Sequence, residues 1–252
     1  MSKYTTDEKF ITGKRGQKIA IKAYYPSDKD SKYPAVIFSH GFGSNYRALE
    51  HHGKTIAEHN IICFFLDFCG GGLESLSDGS MKDMTILSEV SDLEDVYSYV
   101  CSLDEVDTEK IFLMGESQGG LVSAYLAPQI CAKIRGLILW YPAFVIPDDS
   151  ARRIREGVNE VFGQMLSPEY DKVAANIDIR KIMHDYSGPV LIIHGDKDGI
   201  VPIRYSESAE TIYDNASLIV IKDADHGFDD DDSLCAINSS IDFMLKNIKD
   251  LN

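Results

Sequence analysis

Long apolar runs are missing from this 252-residue chain. The longest, IICFFL at 61–66, has the length of a buried strand, far short of the roughly 18 residues a membrane span requires. No membrane association is therefore expected. Positive charge is also scarce. Twenty-five Lys and Arg stand against forty Asp and Glu, a formal net charge of −15, and no basic stripe interrupts the acidic background. Such a surface repels phosphate backbones, so nucleic acid is not an expected partner. Cysteine is sparse and odd in number, at positions 63, 69, 101, 131 and 235, with no CxxC pair. This argues against a disulfide framework or a zinc site and for a reducing compartment. The opening, MSKYTTDEKF, lacks the apolar segment of a secretory signal, so a cytoplasmic location is expected.

What the chain does have is enough apolar residue, 44%, for one substantial core. Antiparallel strands open it: a short one near Lys9–Thr12, a turn at Gly13–Gly16, then Lys18–Tyr25 closed by Pro26. Four apolar runs follow with the pattern of fully buried parallel strands, at 35–40, 61–67, 110–115 and 136–142. Two more, at 190–195 and 217–222, complete the set. Helix-period segments lie between them, at Val90–Val100, Gln118–Ile130 and Ile203–Tyr213, and a last helix is expected from Ser233 to about Ile248. This alternation predicts an α/β fold: a mostly parallel, doubly wound sheet in a single domain. The rhythm breaks between about 143 and 187, where no convincing strand occurs in too much chain for a simple loop. That interval reads as an inserted cap.

Gly115-Glu116-Ser117-Gln118-Gly119 follows the apolar strand KIFLM and opens a helix. In that context G-x-S-x-G is a nucleophile elbow, with Ser117 on a strained turn between flanking glycines. A free hydroxyl is a weak nucleophile and needs a base. Of seven histidines, only His226 follows a late strand, after the acid that the chain order Ser, acid, His demands. His194 precedes that acid and reads as a structural residue; His51 and His52 read as a solvated helix face. Asp196 and Asp198 both emerge after VLIIHG. Asp198 lies deeper in the loop and is the preferred acid, with Asp196 capping a turn. Two backbone amides should meet the oxyanion, those of Gln118 and, in the glycine loop Ser39-His40-Gly41-Phe42-Gly43, Phe42.

No cofactor or metal is expected. Gly70-Gly71-Gly72 is not completed to a nucleotide motif and reads as a mobile loop near the site. The run Asp229–Asp232 lacks the spacing of a calcium loop and suits a helix start.

With those residues assigned, the chain resembles the bacterial cinnamoyl (feruloyl) esterases of the α/β-hydrolase superfamily along nearly its whole length. The resemblance is carried by FSHGFGSN (38–45), the stretch 66–96, MGESQGG (114–120), YPAFVIPDD (141–149), SGPVLIIHGDKDGIVP (187–202) and DADHGF (223–228). It implies the same Ser117, Asp198 and His226 set. It also implies that the cap shapes the acyl pocket, with Asp148, Asp149 and Tyr170 as the polar residues meeting a phenolic ring. Two departures are visible: GES where GHS is usual, and DFCGGG where a DFNGHG-like sequence is usual.

The leading expectation is a serine carboxylester hydrolase acting on a small or hydroxycinnamoyl ester through an acyl-enzyme. A serine aminopeptidase on the same fold is the second, with Asp148, Asp149 and Glu156 as an anionic subsite. A non-catalytic hydrolase-fold scaffold is the third, and it has no need of the Ser, Asp and His set. The expected partner is a small-molecule ester; a homodimer is left open.

Overall fold

The computed structural model describes residues 4–27 and 31–249. Residues 1–3, the first of the N-terminal stretch read above, lie outside the described residues, as does the side chain of Cys131. The other four cysteines are unbridged.

Eight strands form one sheet: β1 (Tyr4–Thr12), β2 (Lys18–Pro26), β3 (Tyr33–Ser39), β4 (Ile62–Leu66), β5 (Val106–Glu116), β6 (Gly136–Trp140), β9 (Val190–Gly195) and β10 (Ala216–Ile221). Two further strands, β7 (Glu160–Val161) and β8 (Gln164–Met165), make a separate hairpin. Sheet order is β1-β2-β4-β3-β5-β6-β9-β10, with β2 antiparallel to both its neighbours and the remaining pairs parallel. β1 begins earlier than expected, because its first half alternates without strong apolar residues and is held by register with β2.

Period-2 side chains in the central strands feed two cores. Ile37, Leu113, Leu139 and Ile192 point to one, and Phe38, Met114, Ile138 and Ile193 to the other. The first is covered by α2 (Ile86–Cys101), α3 (Ser117–Leu126) and α7 (Arg204–Ile212). The second is covered by α1 (His51–Ala57) and α8 (Asp230–Lys249). α2 shows why such segments are helical: Ile86, Val90, Leu93, Val96 and Val100 make one buried stripe, and a Thr85–Ser88 capping box starts it. α3 stops at Leu126, short of the expected Ile130, where Pro128 gives way to a 3₁₀ turn. Among the described residues, no helix is long and apolar enough to cross a membrane.

Between β6 and β9 the chain folds into α4 (Ile146–Glu156), the β7–β8 hairpin, α5 (Pro168–Ala174) and α6 (Ile179–His184). The hairpin lay below what periodicity reveals, since each strand has only two residues. Its turn, Phe162-Gly163, has φ of +49° and +77°. A buried bidentate ion pair, Arg153 Nη2 to Asp171 Oδ1 at 2.6 Å and Nε to Oδ2 at 3.2 Å, ties α4 to α5.

The sheet order reverses at β3, flanked by β4 and β5. Crevices at the carboxyl ends of such strands are where α/β sheets bind ligands. Ser39 and Gly115 are register partners, so β3 and β5 end level there.

Candidate active site

Ser117 follows β5 directly and has φ +48°, a left-handed conformation that costs a non-glycine residue about 1–3 kcal/mol. The glycines around it permit the turn. A Cβ on Gly115 would lie 2.3 Å from the Gly119 carbonyl oxygen, and one on Gly119 would lie 2.3 Å from that of Ser39. Ser117 Oγ lies 3.0 Å from His226 Nε2, and His226 Nδ1 lies 2.7 Å from Asp198 Oδ2. The three expected residues are thus joined in one hydrogen-bonded relay from three separate loops.

Asp198 is held by more than His226. Its Oδ1 accepts from the amides of Ile200 (2.9 Å) and Val201 (2.7 Å), and its Oδ2 also lies 3.1 Å from His194 Nε2. Burial by itself would raise the Asp198 pKa. Hydrogen bonds from His194, His226 and the Val201 amide outweigh it and hold the carboxyl well below the usual carboxylate range. His194 is fully buried, with Nδ1 on Ser206 Oγ at 2.7 Å and Nε2 shared between Asp198 and the Val201 carbonyl. Both Nε2 neighbours are acceptors, which assigns the proton to Nε2. The structural reading of His194 stands, with a brace on the acid added to it.

Neighbouring carboxylates join the loops. Asp196 Oδ1 accepts from the Asp223 amide at 2.7 Å, and Asp225 Oδ1 accepts from the amides of Gly199 (2.9 Å) and His226 (2.7 Å). Asp225 was not foreseen; two acidic residues around an alanine carry no sign of which one turns inward.

On the other side of Ser117, the Gly41–Gly43 loop is fixed by its own contacts. His40 Nε2 accepts from the Phe68 amide at 3.1 Å and His40 Nδ1 donates to the Gly41 carbonyl at 2.8 Å. Burial lowers its pKa, in keeping with that neutral tautomer. The Gly43 amide donates to the Gly71 carbonyl at 2.9 Å. The Gly70–Gly72 segment, expected to be mobile, is instead packed beneath this loop: a Cβ on Gly72 would lie 2.1 Å from the Ser44 carbonyl oxygen. The Phe42 amide meets no protein acceptor among the described residues. That of Gln118, second residue of α3, has no carbonyl four residues back within the helix.

Two cavities meet at Ser117. One, of about 380 Å³, runs beneath the segment between β6 and β9 and is lined by Phe42, Val145, Ile146, Asp149, Val161 and Tyr170 among others. The other, of about 410 Å³, is lined by Glu116, Tyr141, His226 and Gly227. Asp149 and Tyr170 therefore border the site as expected. Asp148 does not: it accepts from the Tyr205 hydroxyl at 2.6 Å, outside both cavities. Successive residues on α4 are about 100° apart, so only one of the adjacent carboxylates can face the cavity. The Tyr170 hydroxyl already donates to Gln118 Oε1 at 2.6 Å, and Gln118 Nε2 donates to buried Glu89 at 2.8 Å. Burial pushes the Glu89 pKa up to about 8.

Two other expectations resolve away from the site. His51 is exposed, but His52 is buried against Trp140, with Nε2 2.9 Å from Ser233 Oγ. The solvated-face reading of His52 is corrected by the packing of α1 on α8. Asp229 caps α8, accepting from the amides of Asp231 and Asp232 at 3.0 Å each.

Residues 30–173 match the Hydrolase_4 family model, described as serine aminopeptidase S33. The chain belongs to this family. Its eight-stranded, mostly parallel sheet is that of the α/β-hydrolase fold. Est1E from Butyrivibrio proteoclasticus, solved with ferulic acid bound, superposes with a TM-score of 0.86 at 28% identity, covering 96% of this chain and 99% of that one. The likeness bears out the resemblance to cinnamoyl and feruloyl esterase-like serine hydrolases. DcsB, solved with a substrate analogue, superposes at 0.79 over 97% of this chain and 100% of that one; at 19% identity the likeness is one of fold alone. Among curated sequences, a dihydrolipoyllysine-residue acetyltransferase component of the acetoin cleaving system from Pseudomonas putida and the uncharacterized protein YfhR from Salmonella typhi are each 26% identical over 76% of this chain. The matches span 58% and 63% of those relatives.

Proposed function

We propose that this Hydrolase_4 member hydrolyses small carboxylic esters, hydroxycinnamoyl esters among them, through an acyl-enzyme on Ser117. The observation that carries the reading is the relay from Ser117 Oγ through His226 to Asp198, at 3.0 and 2.7 Å, at the junction of two cavities.

In this mechanism Ser117 Oγ attacks the ester carbonyl carbon while its proton passes to His226 Nε2. Asp198 orients the imidazole and stabilises its charged form. The amides of Phe42 and Gln118 receive the developing oxyanion. When the bond to the alcohol breaks, His226 returns the proton to the leaving oxygen. Water then attacks the acyl carbon, gives a proton to His226, and the proton goes back to Ser117 Oγ as the acid departs.

The proton route distinguishes the cavities. A leaving alcohol must lie within reach of His226, which favours the cavity lined by His226 and Gly227 for the alcohol. The cavity beneath α4 and α5 then takes the acyl group, against the wall that the mutually packed rings of Phe42 and Tyr170 form. Similarity to Est1E, crystallised with ferulic acid, supports an aromatic acyl group, with Asp149 and the Tyr170 hydroxyl oxygen available to ring hydroxyls.

The family description favours a second reading, an aminopeptidase. An α-ammonium group needs an unneutralised carboxylate. Here Asp149 and Glu156 both face Arg152, at 3.1 and 3.6 Å, which weakens that reading.

A panel of p-nitrophenyl acetate, methyl ferulate and aminoacyl p-nitroanilides, run on parent and Ser117→Ala, tests both. The esters should turn over and the anilides should not. Ser117→Ala should lower kcat by several orders of magnitude. Turnover of the anilides alone, or a variant within about tenfold of the parent, would sink the esterase reading.

A further inference from the structure

Glu116 occupies the position before the nucleophile, where the elbow departs from the GHS usual in the esterases it resembles. Glu116 is 9% exposed, and its carboxylate bonds two separate segments. Oε1 accepts from the Gly41 amide at 3.1 Å, and Oε2 accepts from the Tyr141 hydroxyl at 2.6 Å. Gly41 immediately precedes Phe42 in the loop that faces Ser117. A Cβ on Gly41 would lie 3.2 Å from Ser117 Cβ, so the loop is seated against the elbow. Tyr141 is the first residue after β6 and has φ +33°, a strained conformation that its surroundings must hold. Its amide donates to the Ile193 carbonyl at 2.7 Å, and its ring lies 4.7 Å from that of His226. Burial and the adjacent Glu116 carboxylate raise the phenol pKa, so Tyr141 remains a donor.

We propose that Glu116 is a positioning residue, a clamp joining the ends of β3, β5 and β6 so that the Phe42 amide and the His226 ring keep register with Ser117. The inference rests on the Ser117 reading above and goes beyond it, since G-x-S-x-G leaves the residue at its second position open. Both oxygens of the carboxylate are used, one toward each half of the site: the loop that receives the oxyanion, and the aromatic wall against the base. Hydrophobic replacement would free both, leaving the Gly41 amide without an acceptor and Tyr141 without its anchor. Glu116→Gln would keep both contacts, because a carboxamide carbonyl can accept from Gly41 while its NH₂ donates to a rotated Tyr141 hydroxyl.

The test compares Glu116→Leu, Glu116→Gln, Tyr141→Phe and the Glu116→Leu, Tyr141→Phe double variant with the parent on p-nitrophenyl acetate. Misplacement of about an ångström around reacting atoms can cost on the order of 100-fold. Glu116→Leu should therefore lower kcat by about 10- to 100-fold with KM within about threefold. Glu116→Gln should recover to within about fivefold of the parent, and Tyr141→Phe should fall between. The double variant should be no worse than Glu116→Leu, because both changes open the same clamp. Affinity for a trifluoromethyl ketone, whose adduct carries an oxyanion, should fall in step with kcat, while acetate, the product acid, binds as before. A merely structural role would weaken both inhibitors alike, and that result overturns the clamp. So does a kcat within twofold of the parent in Glu116→Leu, or in Tyr141→Phe should Glu116→Leu not fold. Ser117→Ala separates the layers. If it stays active, the Ser117 reading fails; if it is inactive while Glu116→Leu matches the parent, only the clamp fails.

Discussion

His194 Nε2 stands 3.1 Å from Asp198 Oδ2, the same oxygen that accepts from His226 Nδ1 at 2.7 Å. Asp198 thus lies between two imidazoles, one fully buried and one turned toward Ser117. A carboxylate so held cannot rotate without losing a partner.

His194→Leu should therefore lower kcat by about 3- to 10-fold and cost about 1.5–3 kcal/mol of stability at pH 7, the range for a hydrogen bond to a charged group. The Asp198 pKa is depressed in the folded state, so its contribution is present above its unfolded value of about 3.9 and is lost as pH falls through the folded one. Denaturant unfolding of His194→Leu in the parent and in an Asp198→Asn background, both at pH 7, checks the coupling. The deficit should shrink once the charge on residue 198 is gone; a deficit of equal size would mean that only lost packing was being measured.

Asp198→Asn and Asp196→Asn should separate sharply. The first removes the charge that orients His226, and in serine proteases the analogous change costs about 10⁴ in kcat. The second weakens one bond to the Asp223 amide, at 2.7 Å, and should cost less than about tenfold. Steady-state kinetics on both purified variants decide it, and equal losses would defeat the assignment.

Asp149 and Asp148 offer a similar pair. Asp149 borders the cavity beneath α4, whereas Asp148 is held by Tyr205. Asp149→Asn should change kcat/KM for methyl ferulate by about 5- to 150-fold, corresponding to roughly 1–3 kcal/mol. It should leave p-nitrophenyl acetate nearly unaffected. Asp148→Asn should alter neither. If Asp148→Asn lowers the ferulate rate as much as Asp149→Asn, the face assigned to the acyl group is wrong.

Glu89 makes stability depend on pH in the opposite sense to Asp198. Burial raises its folded pKa to about 8, against about 4.3 unfolded. Stability from this group is full below about pH 4 and is lost as pH rises toward 8, by at most about 1.4 kcal/mol per pH unit. Glu89→Gln keeps an acceptor for Gln118 and cannot ionise. Its stability relative to the parent should climb between pH 5 and pH 8 in chemical unfolding; a constant offset would show that Glu89 does not titrate there.

The amino-acid sequence by itself determined the α/β alternation, the elbow and the identities of Ser117, Asp198 and His226. These follow from local rules: period-2 apolar runs, a glycine-flanked turn between strand and helix, and the order of residues at successive strand ends. Their meeting was legible because a parallel sheet brings its carboxyl ends together. What only the tertiary structure decided is which side chains turn toward one another across long separations. Asp148 and Asp149 are chemically alike, and the rotation of α4 on α5, fixed by Arg153 and Asp171, selects one of them. His52 became a core residue through Ser233, 181 positions away. Glu116 acquired both its partners from the ends of neighbouring strands, and no periodicity encodes them. A hydrogen bond spans about 3 Å whatever the separation in sequence, so its partner is set by packing and not by pattern.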